Sequence, residues 1–367
     1  MRVVYAIRHV GMTGGVKVFF QHVDLLRNLG HEVHLIARYI DETWGFKVTP
    51  EIVPSFDDMH IPPDTDAIVV TTPKDVEVLW KAAIKRKIPL FHFMQGFEPD
   101  YVLERINGKV IPDRFRGKGI LAKLKYMKKI LGWKRKLKRF DALYRIPTIK
   151  MAISPHLVQG VVNRYGMDCY LLPNGIDLKV FYPKGKEPDY SGTLRILSVG
   201  NANIEYKAIP DIWKAVKILK ERGEKVYLTR VSPADIPEIE KNAGVVDRFL
   251  VKISEQEMAD LYRESHILIS ASTEIEGFGL PPVEAMSTGT PVILTRVSPF
   301  LAFDTTHDYA CFVNVHKPEE IAEGALAIAK DKALRDRLIK RGSEVSSKYS
   351  LEMVGKRLEE ILQKHVF

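Results

Sequence analysis

Cysteine is scarce in this chain: Cys169 and Cys311 are the two in 367 residues, and they lie far apart in sequence. That excludes a disulfide framework and a thiolate metal site, and it fits a reducing compartment. Long apolar runs are missing as well. No stretch approaches the roughly 20 residues that a membrane-spanning helix needs. The opening MRVVYAIRHV is broken by Arg8 and His9 too early for a secretion signal, so a cytoplasmic protein is expected. The glycines after the first apolar run read GMTGG rather than G-x-G-x-x-G, which gives a nicotinamide dehydrogenase little support. Low-complexity segments are absent, and repetition goes no further than a weak doubling of a β/α unit.

What is present is an ordinary globular composition. A chain of 367 residues suggests two domains of roughly 150 residues each, and 46% apolar residues suffice for two cores. The net charge of +9 is concentrated: Gly108 to Lys150 carries fifteen Lys or Arg against Asp113 and Asp141, so the remainder is slightly acidic. Within that segment Ile120, Leu124, Met127 and Leu131 recur at helical spacing, with Leu121 and Trp133 nearby and lysines between. Residues 114–145 can therefore be a helix drawn to an anionic membrane surface, a solvated helix packed on its own domain, or a polyanion site. No single-strand platform or recognition helix accompanies the charge, so nucleic acid is the least favoured partner.

The most informative stretch is His266 to Leu294, HILISASTEIEGFGLPPVEAMSTGTPVIL. It reads as a β-branched strand, a Gly- and Pro-rich loop, a short helix from about Val283, and a second strand. In a parallel α/β sheet such a loop lies at the carboxyl end of a strand and offers free N–H groups at a helix start. Glu276 and Glu284 frame it. Two carboxylates beside open amides can accept hydrogen bonds from hydroxyls and donate them to oxygens, which suits a sugar.

The segment EGFGLPPVEAMSTGTPVI resembles the signature of the retaining nucleotide-sugar glycosyltransferases of family 4, the glycosyl transferases group 1: Glu, seven residues, Glu, with Gly-Phe-Gly after the first and Gly-x-Pro-Val after the second. The resemblance implies a GT-B fold, α/β, with two Rossmann-like domains facing each other across a cleft and a C-terminal helix crossing back. It implies that Glu284 holds the nucleotide ribose and Glu276 a donor-sugar hydroxyl, while the amides of Phe278, Gly279 and Leu280 bind the sugar. Gly14 and Gly15 would line the cleft near the donor phosphates, and Lys207 would neutralise the departing diphosphate. Lys252 and Ile253 would lie against the base.

Two positions depart from the family pattern. The diphosphate-binding Arg expected after Gly200 is replaced by Asn201, for which Arg230 at the end of VYLT is a candidate substitute; a strand-end surface Arg is the other reading. A histidine usual after the strand PLFHFM is replaced by Gln95, with His92 earlier in the strand. Gln95 and Glu98 are candidate acceptor or sugar contacts, or a polar loop with a capping Glu. Asp64-Thr65-Asp66 is formally a metal motif, but it stands at a strand's start, the wrong end for a ligand, and reads as structural.

The expected organisation is an acceptor-side domain over 1–183 joined by the C-terminal helix 351–367, a linker over 184–193, and a nucleotide-sugar domain over 194–350. The resemblance implies a hexosyltransferase that uses a nucleotide-diphosphate sugar as co-substrate, with no cofactor and no metal. The acceptor is a glycan, a lipid-linked sugar or a small molecule, and the basic helix favours one at the inner face of the membrane, as in polysaccharide biosynthesis. A catalytically inactive nucleotide-sugar-binding scaffold on the same fold is the alternative.

Overall fold

The structure is a computed structural model of the chain, and it describes residues 1–11, 14–41, 49–108, 119–185 and 189–366, the side chains of 120–123 excepted. Met12 and Thr13 of the GMTGG loop, residues 109–118 of the basic segment and residues 186–188 of the expected linker lie outside the described residues. The chain divides into two compact units, Met1–Gly11 with Leu26–Leu172 and Glu359–Phe367, and Met12–Leu25 with Pro173–Leu358. The division falls inside the first and last helices.

The first unit opens with β1 (Arg2–Val10); the chain then passes through α1 (Gly14–Asn28), whose residues up to Leu25 belong to the second unit, and the first unit resumes with β2 (Glu32–Ile40), β3 (Glu51–Ile52) and β4 (Ala67–Val70). Then come α2 (Pro73–Arg86), β5 (Leu90–Met94), α3 (Glu98–Ile106), α4 (Ile120–Tyr144), β6 (Ile149–Ala152), α5 (Pro155–Tyr165) and β7 (Cys169–Leu171). The strands form a parallel sheet in the order β3-β2-β1-β4-β5-β6-β7. Val3 to Ile7 are all buried, which is why β1 reads as a continuous apolar run rather than an alternating one: helices cover both faces of such a sheet. The core on one face gathers Val4, Ile36, Ile68 and Val70 against Val76 and Leu79 of α2. Asp64 and Asp66 are spent on Arg2, whose Nη1 and backbone N–H they accept at 2.8 and 2.6 Å, so the Asp-x-Asp fastens the entry of β4 to that of β1.

The second unit repeats the scheme: β8 (Leu194–Val199), α6 (Ile209–Glu221), β9 (Val226–Ser232), α7 (Glu238–Lys241), β10 (Arg248–Val251), α8 (Glu255–Glu264) and β11 (Ile267–Ser270). It ends with α9 (Leu280–Ser287), β12 (Val292–Thr295), α10 (Ser298–Leu301), β13 (Cys311–Val313), α11 (Pro318–Lys330), α12 (Lys332–Ser346) and α13 (Leu351–Val366). Its parallel sheet runs β10-β9-β8-β11-β12-β13. Strand order reverses direction between β8 and β11, and the crevice beyond the carboxyl ends of two such strands is where open α/β sheets bind ligands. The core beneath is apolar, with Ile196, Ile212, Val216, Leu228 and Ile269 fully or almost fully buried. Ser254 caps α8 in a reciprocal box with Glu257. Gly175, in the Asn174-Gly175 turn, lies so close to Leu351 that a Cβ there would come within 2.9 Å of its Cδ2.

Among the described residues no helix is long and apolar enough to cross a membrane. Cys169 and Cys311 are both free.

Candidate donor site in the second unit

The loops after β8 and β11, at the reversal point of the second sheet, bring Lys207 and Glu276 together. Lys207 closes a 3-10 turn over Glu205–Lys207, and its Nζ donates to Glu276 Oε2 at 2.6 Å. Ser272 Oγ donates to the same oxygen at 2.7 Å, and the Thr273 N–H donates to Tyr206 O at 2.8 Å, which locks the two loops to each other. Glu276 is buried, which raises a carboxyl pKa, yet Lys207, Ser272 and the Gly277 N–H outweigh burial and hold it below the ordinary value. Burial likewise opposes the charge on Lys207, and Glu276 more than compensates. The pair is therefore a fixed anion and a fixed cation at neutral pH.

Gly279 makes the turn into α9. Its φ of +92° lies in the left-handed region, and a Cβ would come within 2.5 Å of Phe300 Cε1, so both backbone and space require glycine. No side chain caps α9. Pro281 and Pro282 bring no N–H to the first turn, which leaves the amides of Gly279 and Leu280 as the donors of this helix start. Phe278 turns its ring inward against Phe303 and Tyr349 and contributes backbone only.

Glu284 lies in α9, buried to 5% exposure. Tyr262 of α8 donates its hydroxyl to Oε2 at 2.9 Å, and Lys17 of α1 donates Nζ to Oε1 at 3.0 Å. Burial and the Glu284 charge push the Tyr262 hydroxyl far above its ordinary pKa, so it remains a donor. Lys17 also reaches Glu255 Oε1 at 2.9 Å. Each signature carboxylate is thus matched with a lysine.

The remaining sequence-derived residues fall as follows. Gly14 and Gly15 are the first residues of α1 rather than loop, and Gly14 lies beside Leu280, whose Cδ1 would be 3.9 Å from a Cβ there. Lys252, in the left-handed region with φ of 52°, and Ile253 follow β10, directly before the cap of α8. Gln95 and Glu98 belong to the first unit, after β5; Tyr144 donates to Glu98 Oε2, and burial holds the Glu98 carboxyl above its ordinary range. Asn201 closes its own turn by accepting the Asn203 N–H at 2.9 Å.

Arg230 departs from expectation. It is fully buried, and its guanidinium donates to Glu240 Oε1 at 2.6 Å, Ser198 O at 2.7 Å and Gly200 O at 2.5 Å. Those bonds tie it under the β8 loop, so it props Gly200 from below instead of reaching a ligand as a cation. The sequence shows a charged residue at a strand end but not the face toward which it turns. Tyr262, Ser272 and Lys17 were missed for a similar reason. Tyr262 continues the apolar face of α8 with Met258 and Leu261, and Lys17 sits in an amphipathic helix, so both read as ordinary helix positions.

Two parallel-sheet units spanning the chain, with the site at the reversal point of the second, make this a GT-B fold. The whole chain superposes on solved glycosyltransferase structures of that fold. Against the sucrose-phosphate synthase of Thermosynechococcus elongatus it gives a TM-score of 0.75 at 16% identity, covering 99% of each chain. Against Anabaena Alr3699/HepE in complex with UDP-glucose the TM-score is 0.72 at 12% identity, covering 99% of this chain and 100% of that one. Residues 184–345, which hold Lys207, Glu276 and Glu284, match the family described as glycosyl transferases group 1. In sequence, a phosphatidyl-myo-inositol mannosyltransferase of Mycobacterium tuberculosis is 22% identical over 222 residues, 58% of this chain. The match spans 59% of that relative's length.

Proposed function

We propose that the protein is a retaining glycosyltransferase that takes a sugar from a nucleotide-diphosphate donor to a glycan, lipid-linked or small-molecule acceptor. The observation that carries this reading is the second-unit site: two buried glutamates eight positions apart, each paired with a lysine, around a helix start without a side-chain cap. Glu284 holds the ribose and Glu276 a hydroxyl of the donor sugar. The amides of Phe278, Gly279 and Leu280 bind the sugar, with Gly14 and Gly15 toward the phosphates and Lys252 and Ile253 toward the base. Lys207 neutralises the leaving diphosphate as charge develops on it, which is where fixed electrostatics contribute most. A lysine and a helix start in that role let the reaction proceed without a divalent metal. In this reading 194–350 is the donor domain, 184–193 the linker, and 1–183 with 351–367 the acceptor side, with Gln95 and Glu98 as acceptor contacts.

The acceptor reading leans on α4. Leu124, Met127 and Leu131 share one helix face and are 52%, 62% and 62% exposed, between lysines that are exposed as well. Trp133 turns away from them, packing edge-on against Tyr126 with Arg105 above its ring. The other half is anchored by buried Phe140, Leu143 and Tyr144. An apolar stripe flanked by lysines fits an anionic lipid surface at the inner face of the membrane.

Calorimetric titration with UDP, GDP, ADP and dTDP and their sugars tests the core reading. One nucleotide should bind, and Glu284→Ala should weaken it by about 1–3 kcal/mol through lost hydrogen bonds to a charged group. No binding across the panel by folded protein would turn the assignment to a scaffold that has lost catalysis.

A further inference from the structure

A nucleotide diphosphate brings two phosphates into a site whose cations are already committed. The two signature glutamates, Glu276 and Glu284, make with Glu255 three carboxylates, against two ammonium groups, Lys207 and Lys17. Arg230 is fully buried and bonded to Glu240, Ser198 and Gly200, so it cannot turn to a ligand without breaking a buried ion pair. Asn201 carries no charge. Lys207 alone would leave most of the diphosphate charge unmatched. Resting on the reading of this site as a nucleotide-diphosphate site, we propose that Lys17 is the second cation of the diphosphate, released from Glu284 when the donor arrives.

Three features of the arrangement carry this. Lys17 stands in the first turn of α1, a fifteen-residue helix with no acidic residue in that turn. The positive end of a helix dipole disfavours a cation there and favours an anion, so a diphosphate at this helix start satisfies both the lysine and the dipole. Secondly, the start of α1 lies beside the start of α9, with Gly14 against Leu280. The starts of two helices and an ammonium group are thereby neighbours. Thirdly, the bond that holds Lys17 is the one a ribose replaces. Tyr262 fixes Glu284 Oε2 from the buried side, and Lys17 holds Oε1 at 3.0 Å. A ribose hydroxyl donating to Oε1 takes the place of the ammonium, which is then one sugar ring away from the 5′-phosphates. Its other partner, Glu255, is 47% exposed, and solvent weakens its hold. The two halves of the nucleotide act in concert: ribose frees the cation that the phosphates need.

The exchange also gives Lys17 a second service before the donor arrives. It keeps a buried carboxylate charged and oriented, which a site with an unpaired Glu284 would do only at the cost of burying an uncompensated charge. Burial works against the charge on Lys17, but Glu284 and Glu255 outweigh it and leave the ammonium more firmly protonated than a free lysine.

The test uses full-length protein, with calorimetry for UDP, GDP, ADP and dTDP and competition for the matching nucleosides. For the nucleotide that binds wild type, Lys17→Met should lower diphosphate affinity at least tenfold and change nucleoside affinity less than threefold. Lys17→Arg should restore most of the loss, and Glu255→Gln, which leaves Lys17 one carboxylate fewer, should tighten the diphosphate by a fewfold. Equal losses for nucleoside and diphosphate in Lys17→Met would show that the lysine acts only by orienting Glu284, and unchanged or tighter diphosphate binding would make it a mere latch; either overturns the proposal. Failure of wild type to bind any of the four would overturn the nucleotide-site reading itself, and this assignment with it. Wild-type binding with an indifferent Lys17→Met variant would overturn only the latter.

Discussion

A cluster in the second unit and a pair in the first bury ionisable groups in opposite ways. In the second, buried charge meets opposite charge: Arg230 with Glu240, Lys207 with Glu276, and Lys17 with Glu284. In the first, His92 and Lys150 are opposite each other on neighbouring strands, each 1% exposed. The Lys150 ammonium donates to neutral oxygens, Ile146 O at 2.9 Å and Thr148 Oγ1 at 3.2 Å. Burial brings its pKa down to about 8, and burial together with the nearby Lys150 charge brings His92 down to about 3. Burial without a counter-charge drives a group toward neutrality, while burial with one fixes the charge in place. Only the second arrangement offers standing charges to a ligand, and it is the one found around β8 and β11.

Breaking a fixed pair should have the largest effect. Arg230→Met leaves Glu240 buried with no counter-charge, and an expected loss of about 3–5 kcal/mol is measurable by urea denaturation. The double change Arg230→Met with Glu240→Met should recover most of it. If the single variant is as stable as wild type, the pair does not hold the Gly200 loop. Next comes Glu276→Gln, which keeps the shape but removes the charge facing Lys207. Turnover should fall by about 10²-fold or more, as for other fixed electrostatic contacts to a reacting group, while nucleotide affinity changes little. Equal losses in both would contradict a sugar-contact role.

The contrast in the first unit sharpens with pH. The folded pKa of Lys150, about 8, lies below the 10.5 of a free lysine. Between those values the unfolded chain holds more protons than the folded one, so this residue's penalty is fully present below pH 8 and disappears as pH rises toward 10.5. Wild type should therefore gain about 2–3 kcal/mol on Lys150→Met between pH 8 and 10.5, judged by paired denaturation curves. Parallel curves would mean that the ammonium stays charged in the core. His92 works in the same sense at the acid side: stability is lost as pH falls from 6.5 toward 3.

The smallest expected effect concerns Ala208, which directly follows Lys207 and sits in the left-handed region with φ of 45°. That conformation costs a residue with a Cβ about 1–2 kcal/mol, part of which glycine recovers. Ala208→Gly should raise stability by about 0.5–1 kcal/mol, read as a small rise in the thermal midpoint. A fall would mean that packing of the buried methyl outweighs the backbone strain.

Much of the second unit was readable from the chain itself. The β-branched run, the Gly-Phe-Gly-Leu-Pro-Pro loop and the second strand of His266 to Leu294 appear as β11, the turn at Gly279, α9 and β12, because local preferences and apolar patterning determine such elements over a few residues. Ser254 with Glu257 was equally legible, since a capping box is contained in four consecutive residues. The short elements β3, α3, α7, α10 and β13 were not anticipated. Two or three residues of strand carry no period, and β3 and β13 exist because β2 and β12 offer them an edge.

Local patterning in the chain is enough to read two β/α domains, two glutamates eight residues apart around a helix start in one of them, and positive charge gathered before Lys150. Which side chains meet those glutamates depends on long-range packing. Lys17 and Glu284 are 267 residues apart, and nothing local to either encodes their 3.0 Å bond. Long-range packing also decided that Arg230 turns beneath its own sheet to Glu240 rather than outward. A strand's period of two residues tells only which face a side chain takes, and what waits on that face is set by helices that arrive later in the chain.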